Sequence, residues 1–191
     1  ILMEVARLGD EANDLKGSMR KELQKITQAL DDFETPEIPD LDLLKKELGN
    51  EYVVLLRTHH YIADALDITG LEDFAFNLSK YDDITEIYLI SDICITDYSS
   101  VFFDFANLKR PMLFYTYDLN KYRDVLRGFY IDMETELPGP LVYTTSEVVD
   151  KIKNLDKLNE QYQERYEQFY QRFCSWEDGQ AAKRVVEEVF K

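Results

Sequence analysis

Ile93-Cys94-Ile95-Thr96-Asp97-Tyr98-Ser99-Ser100-Val101-Phe102-Phe103-Asp104-Phe105-Ala106 changes its apolar period halfway along. Its first part is a short apolar, β-branched run. After Asp97 the apolar positions Val101, Phe102, Phe105 and Leu108 take helical spacing, so the stretch predicts a buried strand, a tight turn and a helix. The polar residues fall at the turn. In an open α/β sheet a ligand binds beyond the carboxyl ends of the strands, where the next helix presents unpaired N–H groups and the positive end of its dipole. Ser99 and Ser100 stand at that helix start. Two hydroxyls and free N–H groups can cradle a phosphate or diphosphate without a glycine-rich loop. A serine before a helix is also an ordinary N-cap, and capping uses the same geometry as anion binding. Both readings stand at this level.

Upstream, Tyr52-Val53-Val54-Leu55-Leu56 is a continuous apolar run of the kind buried on both faces of a parallel sheet. A short helix over 42–48, stopped by Gly49, precedes it. The run ends in Arg57-Thr58-His59-His60, which contains both histidines of the chain. A lone histidine is most often a surface or satisfied core residue; position at a strand's carboxyl end raises the odds of function. Neighbours on an extended chain point in opposite directions, so only one of the pair can face a shared pocket. Arg57 offers a planar fork suited to phosphate oxygens, and a histidine beside it can serve as acid, base or phosphate ligand. A further strand over 73–78 leads into Ser79-Lys80-Tyr81-Asp82-Asp83 and a helix over 84–91. That loop reads as a polar cap, which local evidence favours, or as a nucleotide-reading loop.

Downstream, residues 110–115 form another strand and 119–127 a helix stopped by Gly128. Residues 129–145, with Pro138-Gly139-Pro140, form a long irregular connection of a kind that is often functional. Two long helices follow, the first over 146–173. Its Tyr162, Tyr166, Phe169 and Tyr170 read as a packing stripe. At the other end, Val5, Leu8, Ala12, Leu15, Met19, Leu23, Ile26, Leu30 and Phe33 predict an amphipathic helix or helical hairpin over 1–34. Such a stripe usually packs on its own domain, although it could also pair copies as a short coiled coil. Residues 35–41, with two prolines, are a linker, and a Rossmann-like domain is expected over 42–191.

A chain of 191 residues, 45% hydrophobic and 13% aromatic, is long enough for one α/β domain and an appendage. The net charge of −16 argues against nucleic acid or an anionic bilayer as the main partner, since both need a basic surface. Cys94 and Cys174 make neither a disulfide framework nor a metal site, which fits a reducing cytoplasm. No apolar run approaches the roughly 18 residues of a membrane span. The alternation of strand and helix puts three polar clusters, at 57–60, 79–83 and 97–100, at strand ends on one side. That pattern suits a nucleotide-diphosphate site.

The ordered motifs Arg57-Thr58-His59, Ser79-Lys80-Tyr81-Asp82-Asp83-Ile84, Ser91 through Ser100, Phe103-Asp104, Lys109-Arg110-Pro111, Arg127-Gly128-Phe129-Tyr130 and Pro138-Gly139-Pro140 resemble the carboxyl-terminal half of the CDP-glycerol glycerophosphotransferases. These are the teichoic-acid polymerases and primases of Gram-positive bacteria. The resemblance runs from about Leu41 to Lys191. It implies the donor-binding half of a glycosyltransferase-B type fold: an α/β, Rossmann-like parallel sheet, here with an added helical segment. It further implies transfer of glycerol phosphate, or in relatives ribitol phosphate, from a CDP-linked donor to a polyol-phosphate acceptor on a lipid-linked carrier, with release of CMP. No cofactor or metal is implied, CDP-glycerol being substrate. His59 matches the second of the family's two functional histidines, and Ser99 and Ser100 match the serines that hold the donor diphosphate. Arg57, Asp97, Asp104 and Arg127 match motif positions, and Ser79, Tyr81 and Asp82 fall in the matching loop, all assigned to substrate binding.

The family's first functional histidine precedes the matched region, and residues 1–58 hold no histidine. The apolar first strand of the donor half is also not found. The chain is therefore expected to be an incomplete catalytic unit, completed by an N-terminal half or a partner chain. It is expected to be cytoplasmic, or peripheral on the inner face of the membrane within a full-length enzyme. Binding of the CDP-polyol without turnover, and a homo-oligomer assembled through residues 1–34, are the competing expectations.

Overall fold

A polypeptide whose apolar residues alternate between runs and helical stripes buries them most readily as helices on both faces of a parallel sheet. The computed structural model describes residues 38–58, 66–119 and 130–190. Residues 1–34, His59, His60, Arg127 and the expected helix beyond Leu119 lie outside the described residues. Ile1–Ile38 and Pro39–Lys191 are separate units, and the elements below belong to the second.

Helix α1, Leu41–Leu48, begins at Asp40, whose carboxylate accepts the Leu43 N–H at 3.0 Å. Strands β1, Val54–Leu56, and β2, Ala75–Asn77, pair in parallel with Leu55 opposite Phe76. Helix α2, Ile84–Ile90, leads to β3, Cys94–Thr96. Helix α3, Val101–Phe105, is extended by a 3-10 turn, Ala106–Leu108, that stops at Lys109 in the left-handed region (φ 52°). Strands β4, Met112–Tyr115, and β5, Leu141–Val142, follow, then helices α4, Thr145–Lys153, α5, Leu155–Phe173, and α6, Ala181–Val189. The second sheet runs β3-β4-β5, again all parallel, with Thr96 opposite Phe114 and Phe114 opposite Leu141.

β4 shows why the α/β reading holds. All four of its residues are buried, and they divide between two cores by strand alternation. Leu113 and Tyr115 pack with Leu44 and Leu48 of α1 and with Val148 and Ile152 of α4. Met112 and Phe114 pack with Phe102 and Phe105 of α3, Leu137 and Phe169 of α5. The two faces of one strand thus carry two helical layers. The aromatic stripe of α5 is packing, as expected: Phe169 is buried and stacks on Phe103 at 5.4 Å, and the Tyr166 hydroxyl donates to the Arg110 carbonyl at 2.9 Å.

Four local expectations are corrected. The helix expected over 146–173 is two helices, because Asn154 leaves helical geometry (φ −115°, ψ 36°) and its amide donates to the Asp150 carbonyl at 2.9 Å. The first of them starts earlier, at a capping box in which Thr144 accepts the Glu147 N–H while Glu147 accepts that of Thr144. The connection 129–145 contains β5, and Pro138-Gly139-Pro140 is buried against β4 rather than exposed as a loop. A Cβ on Gly139 would stand 2.0 Å from the Met112 carbonyl oxygen, so only glycine lets the chain approach β4 so closely. Lastly, β1 is half-buried where burial on both faces was expected, Val53 just before it is 57% exposed, and β1-β2 is not hydrogen-bonded to β3-β4-β5.

Candidate functional site

The carboxyl ends of β1 and β2 are tied together by side chains. Leu78 N–H continues the ladder to the Leu56 carbonyl at 2.8 Å. One step on, Thr58 N–H donates to Ser79 Oγ at 3.1 Å, and the two hydroxyls lie 3.0 Å apart. Arg57 reaches across the same edge, donating to the Tyr81 carbonyl at 2.5 Å and the Leu78 carbonyl at 3.4 Å. The clusters at 57–58 and 79–83 therefore form one edge. Ser79 serves here as a tie rather than as an open ligand group, and the exposed Arg57 orders the loop behind it.

Within that loop Asp83 is the N-cap of α2, accepting the Thr85 N–H at 2.8 Å, as the capping reading expected. Hydrogen bonds from the Thr85 hydroxyl and N–H hold its carboxyl below the usual range. The Tyr81 hydroxyl donates to Glu86 in the first turn of α2, and that carboxylate pushes the phenol upward. Asp82 is exposed.

The third cluster is built differently. Asp97 accepts the Ser99 N–H at 2.9 Å, which folds the chain over directly after β3. Ser100 occupies the N-cap position of α3 in helical geometry (φ −64°, ψ −4°), and its side chain makes no capping hydrogen bond. Capping thus does not account for Ser100. Both serines are exposed at the carboxyl edge of β3, and Asp104 is exposed one turn into α3. This cluster is hydrogen-bonded to the exit of β4: the Tyr98 hydroxyl donates to Asp118 at 2.7 Å. Burial and the Asp118 carboxylate both push the Tyr98 phenol upward.

Tyr88 of α2 packs against Phe105 of α3, its phenol pushed up to about 12 chiefly by burial, with Asp104 raising it further and Arg57 opposing. Tyr88, Thr58, Tyr98 and Asp118 were not singled out as site residues from the sequence. The pairing of Tyr98 with Asp118 spans twenty positions and has no local signature. Arg110, part of a family-like motif, turns out to hold the end of α2, donating to the Ser91 and Leu89 carbonyls at 2.6 and 2.9 Å. His59 and Arg127 lie outside the described residues. Among the described residues no three His, Cys, Asp or Glu side chains come together as a metal site, and no helix is long and apolar enough to cross a membrane.

This edge can present two hydroxyls and the N–H groups at the start of α3. That is a donor set for an anionic phosphate ester. Comparison with known proteins shows the family. The family model described as CDP-Glycerol:Poly(glycerophosphate) glycerophosphotransferase matches residues 27–191, a start earlier than the motifs indicated. The chain is 53% identical over 154 residues to the teichoic acid poly(glycerol phosphate) polymerase of Bacillus subtilis (strain 168), covering 80% of this chain and 21% of that protein. It is 36% identical over 154 residues to the teichoic acid poly(ribitol-phosphate) polymerase of Bacillus spizizenii, covering 80% of this chain and 24% of that one. Among solved structures, the wall teichoic acid polymerase TagF, as a histidine-to-asparagine variant soaked with CDPG, superimposes with a TM-score of 0.72 at 49% identity. That match covers 79% of this chain and 38% of the solved one, so the chain spans between about a fifth and two fifths of the proteins it resembles.

Proposed function

Because this chain belongs to the CDP-glycerol:poly(glycerophosphate) glycerophosphotransferase family, we propose that it forms the donor-binding half of an enzyme that transfers glycerol phosphate from CDP-glycerol to a polyol-phosphate acceptor. The observation that supports this most directly is the turn at 97–100, where Ser99 and Ser100 are exposed at the carboxyl edge of a parallel sheet and Ser100 makes no capping bond. The diphosphate of the donor sits there, Ser99 and Ser100 donate to its oxygens, and Arg57 and Arg127 balance its charge.

In the transfer, the terminal hydroxyl oxygen of the acceptor attacks the distal phosphorus of the donor. The bond from that phosphorus to the bridging oxygen breaks, and CMP leaves with the bridging oxygen. Phosphoryl transfer of this kind depends chiefly on positioning and on stabilising phosphate charge, with a base to take the hydroxyl proton. His59 fills one of these needs, as proton acceptor or phosphate stabiliser. The remainder of the catalytic cleft, including the acceptor side, comes from polypeptide outside the matched region. Glycerol is favoured over ribitol by the higher identity to the glycerol phosphate polymerase. The site of action is the cytoplasm or the inner face of the membrane, where the lipid-linked acceptor is elongated.

Calorimetric titration of the chain with CDP-glycerol, CDP and CMP tests the donor site, in parallel with an assay of CMP release on a polyol-phosphate acceptor. Binding without release identifies a donor half that needs the rest of the cleft. A folded chain that binds none of the three refutes the proposal.

A further inference from the structure

Thr116 stands immediately after β4, the central strand of its sheet, and its side-chain hydroxyl is fully buried without a hydrogen-bond partner. Its backbone is engaged on both sides: the N–H donates to the Val142 carbonyl at 2.8 Å and the carbonyl accepts the Leu119 N–H at 3.2 Å. Side chains alternate along a strand, so Thr116 falls on the face of Met112 and Phe114, the face covered by α3. Phe114 meets Phe102 of α3 edge-on at 5.4 Å. Thr116 lies one strand step further toward the carboxyl edge. On that face α3 begins at the turn that presents Ser99 and Ser100. The Tyr98–Asp118 bond ties that turn to the same strand exit.

The large majority of buried hydroxyls in native proteins are paired, and one left unpaired disfavours the state that contains it. Valine has the same shape and lacks the penalty. Any state in which the Thr116 hydroxyl is paired is therefore favoured over one in which it is not. We infer that Thr116 is a positioning residue of the donor site: its hydroxyl gains its partner when the 97–100 turn closes on a diphosphate, so the closed turn is favoured over the open one. This role presupposes the donor site proposed above.

The test uses Thr116→Val and Thr116→Ser in the full chain, read by melting temperature without ligand and by calorimetric titration with CDP-glycerol. The valine variant should melt higher than the parent yet bind CDP-glycerol about tenfold more weakly, the worth of one hydrogen bond. The serine variant keeps the hydroxyl and should keep the affinity. A valine variant that melts no higher means the hydroxyl is already paired in the free chain, which overturns the inference before any ligand is added. Unchanged affinity in the valine variant, or a serine variant as weak as valine, overturns it too. Failure of the folded parent chain to bind CDP-glycerol removes the donor site itself, and the role of Thr116 with it.

Discussion

Ser99 and Ser100 show how little a residue's identity decides without its geometry. A serine ahead of a helix normally spends its hydroxyl on a backbone N–H two or three residues on. Here Asp97 takes the Ser99 N–H, and Ser100 sits in helical geometry without a capping bond. Replacing both serines with alanine should therefore leave the melting temperature nearly unchanged. It should weaken CDP-glycerol binding by about 1.5–3 kcal/mol for each hydrogen bond lost to the charged diphosphate. Titration of the double variant measures this, and binding equal to the parent would exclude the diphosphate cradle. Arg57 makes the opposite point. Its planar fork suits phosphate oxygens, yet it donates to the Tyr81 and Leu78 carbonyls and so orders the loop after β2.

At the scale of elements, β4 and β5 depend on one close approach. Gly139 brings the chain onto β4 where a Cβ would stand 2.0 Å from the Met112 carbonyl oxygen. Gly139→Ala must push β5 away from β4 and open the core around Phe114 and Leu137. A loss on the order of 3 kcal/mol is expected, comparable to deleting a large core side chain, and urea unfolding would measure it. The edges of β1 and β3 make a second prediction. Val54 N–H donates to Phe74 and Cys94 N–H to Pro111, both toward the paired strand. Alternation then turns the N–H groups of Leu55 and Ile95 the other way, where no strand pairs with them among the described residues. Amide exchange should be slow at Val54 and Cys94 and fast at Leu55 and Ile95. Equal protection would show that these outer edges are covered.

The whole molecule responds to pH through the groups whose affinities shift on folding. Asp83, Asp132 and Asp178 lie below their ordinary value of 3.8, and Glu136 below 4.5, because backbone and side-chain donors favour the ionised forms. A depressed carboxyl stabilises the fold above its ordinary value, and that contribution is lost as pH falls through the folded value. On the alkaline side burial raises Cys94 from 9.0 to about 12 and Tyr88 from 10.0 to about 12. The folded chain then keeps protons that the unfolded chain releases, so stability falls as pH climbs from 9 toward 12. Melting temperature against pH should thus be flat near neutrality and drop on both sides. A curve still rising at pH 11 would contradict the burial of these groups. With a net charge of −16, added salt should raise the whole plateau by screening self-repulsion.

The sequence by itself determined the order of strand and helix, the turn at 97–100, the helix start at Asp83 and the family. These follow from local periodicity, caps and motifs, which neighbouring residues specify together. It mistook the course of the chain where distant partners decide. Asn154 breaks a helix whose pattern continues, and Pro138-Gly139-Pro140 reads as a loop because the Met112 carbonyl it packs against is far away in the sequence. Only the tertiary structure decided that Ser79 is a tie, that Tyr98 and Asp118 clasp two strand ends, and that the Thr116 hydroxyl is buried without a partner. The physical reason is common to all three. Hydrogen bonding and burial are properties of pairs brought together across the sheet, and no single stretch of chain contains both members.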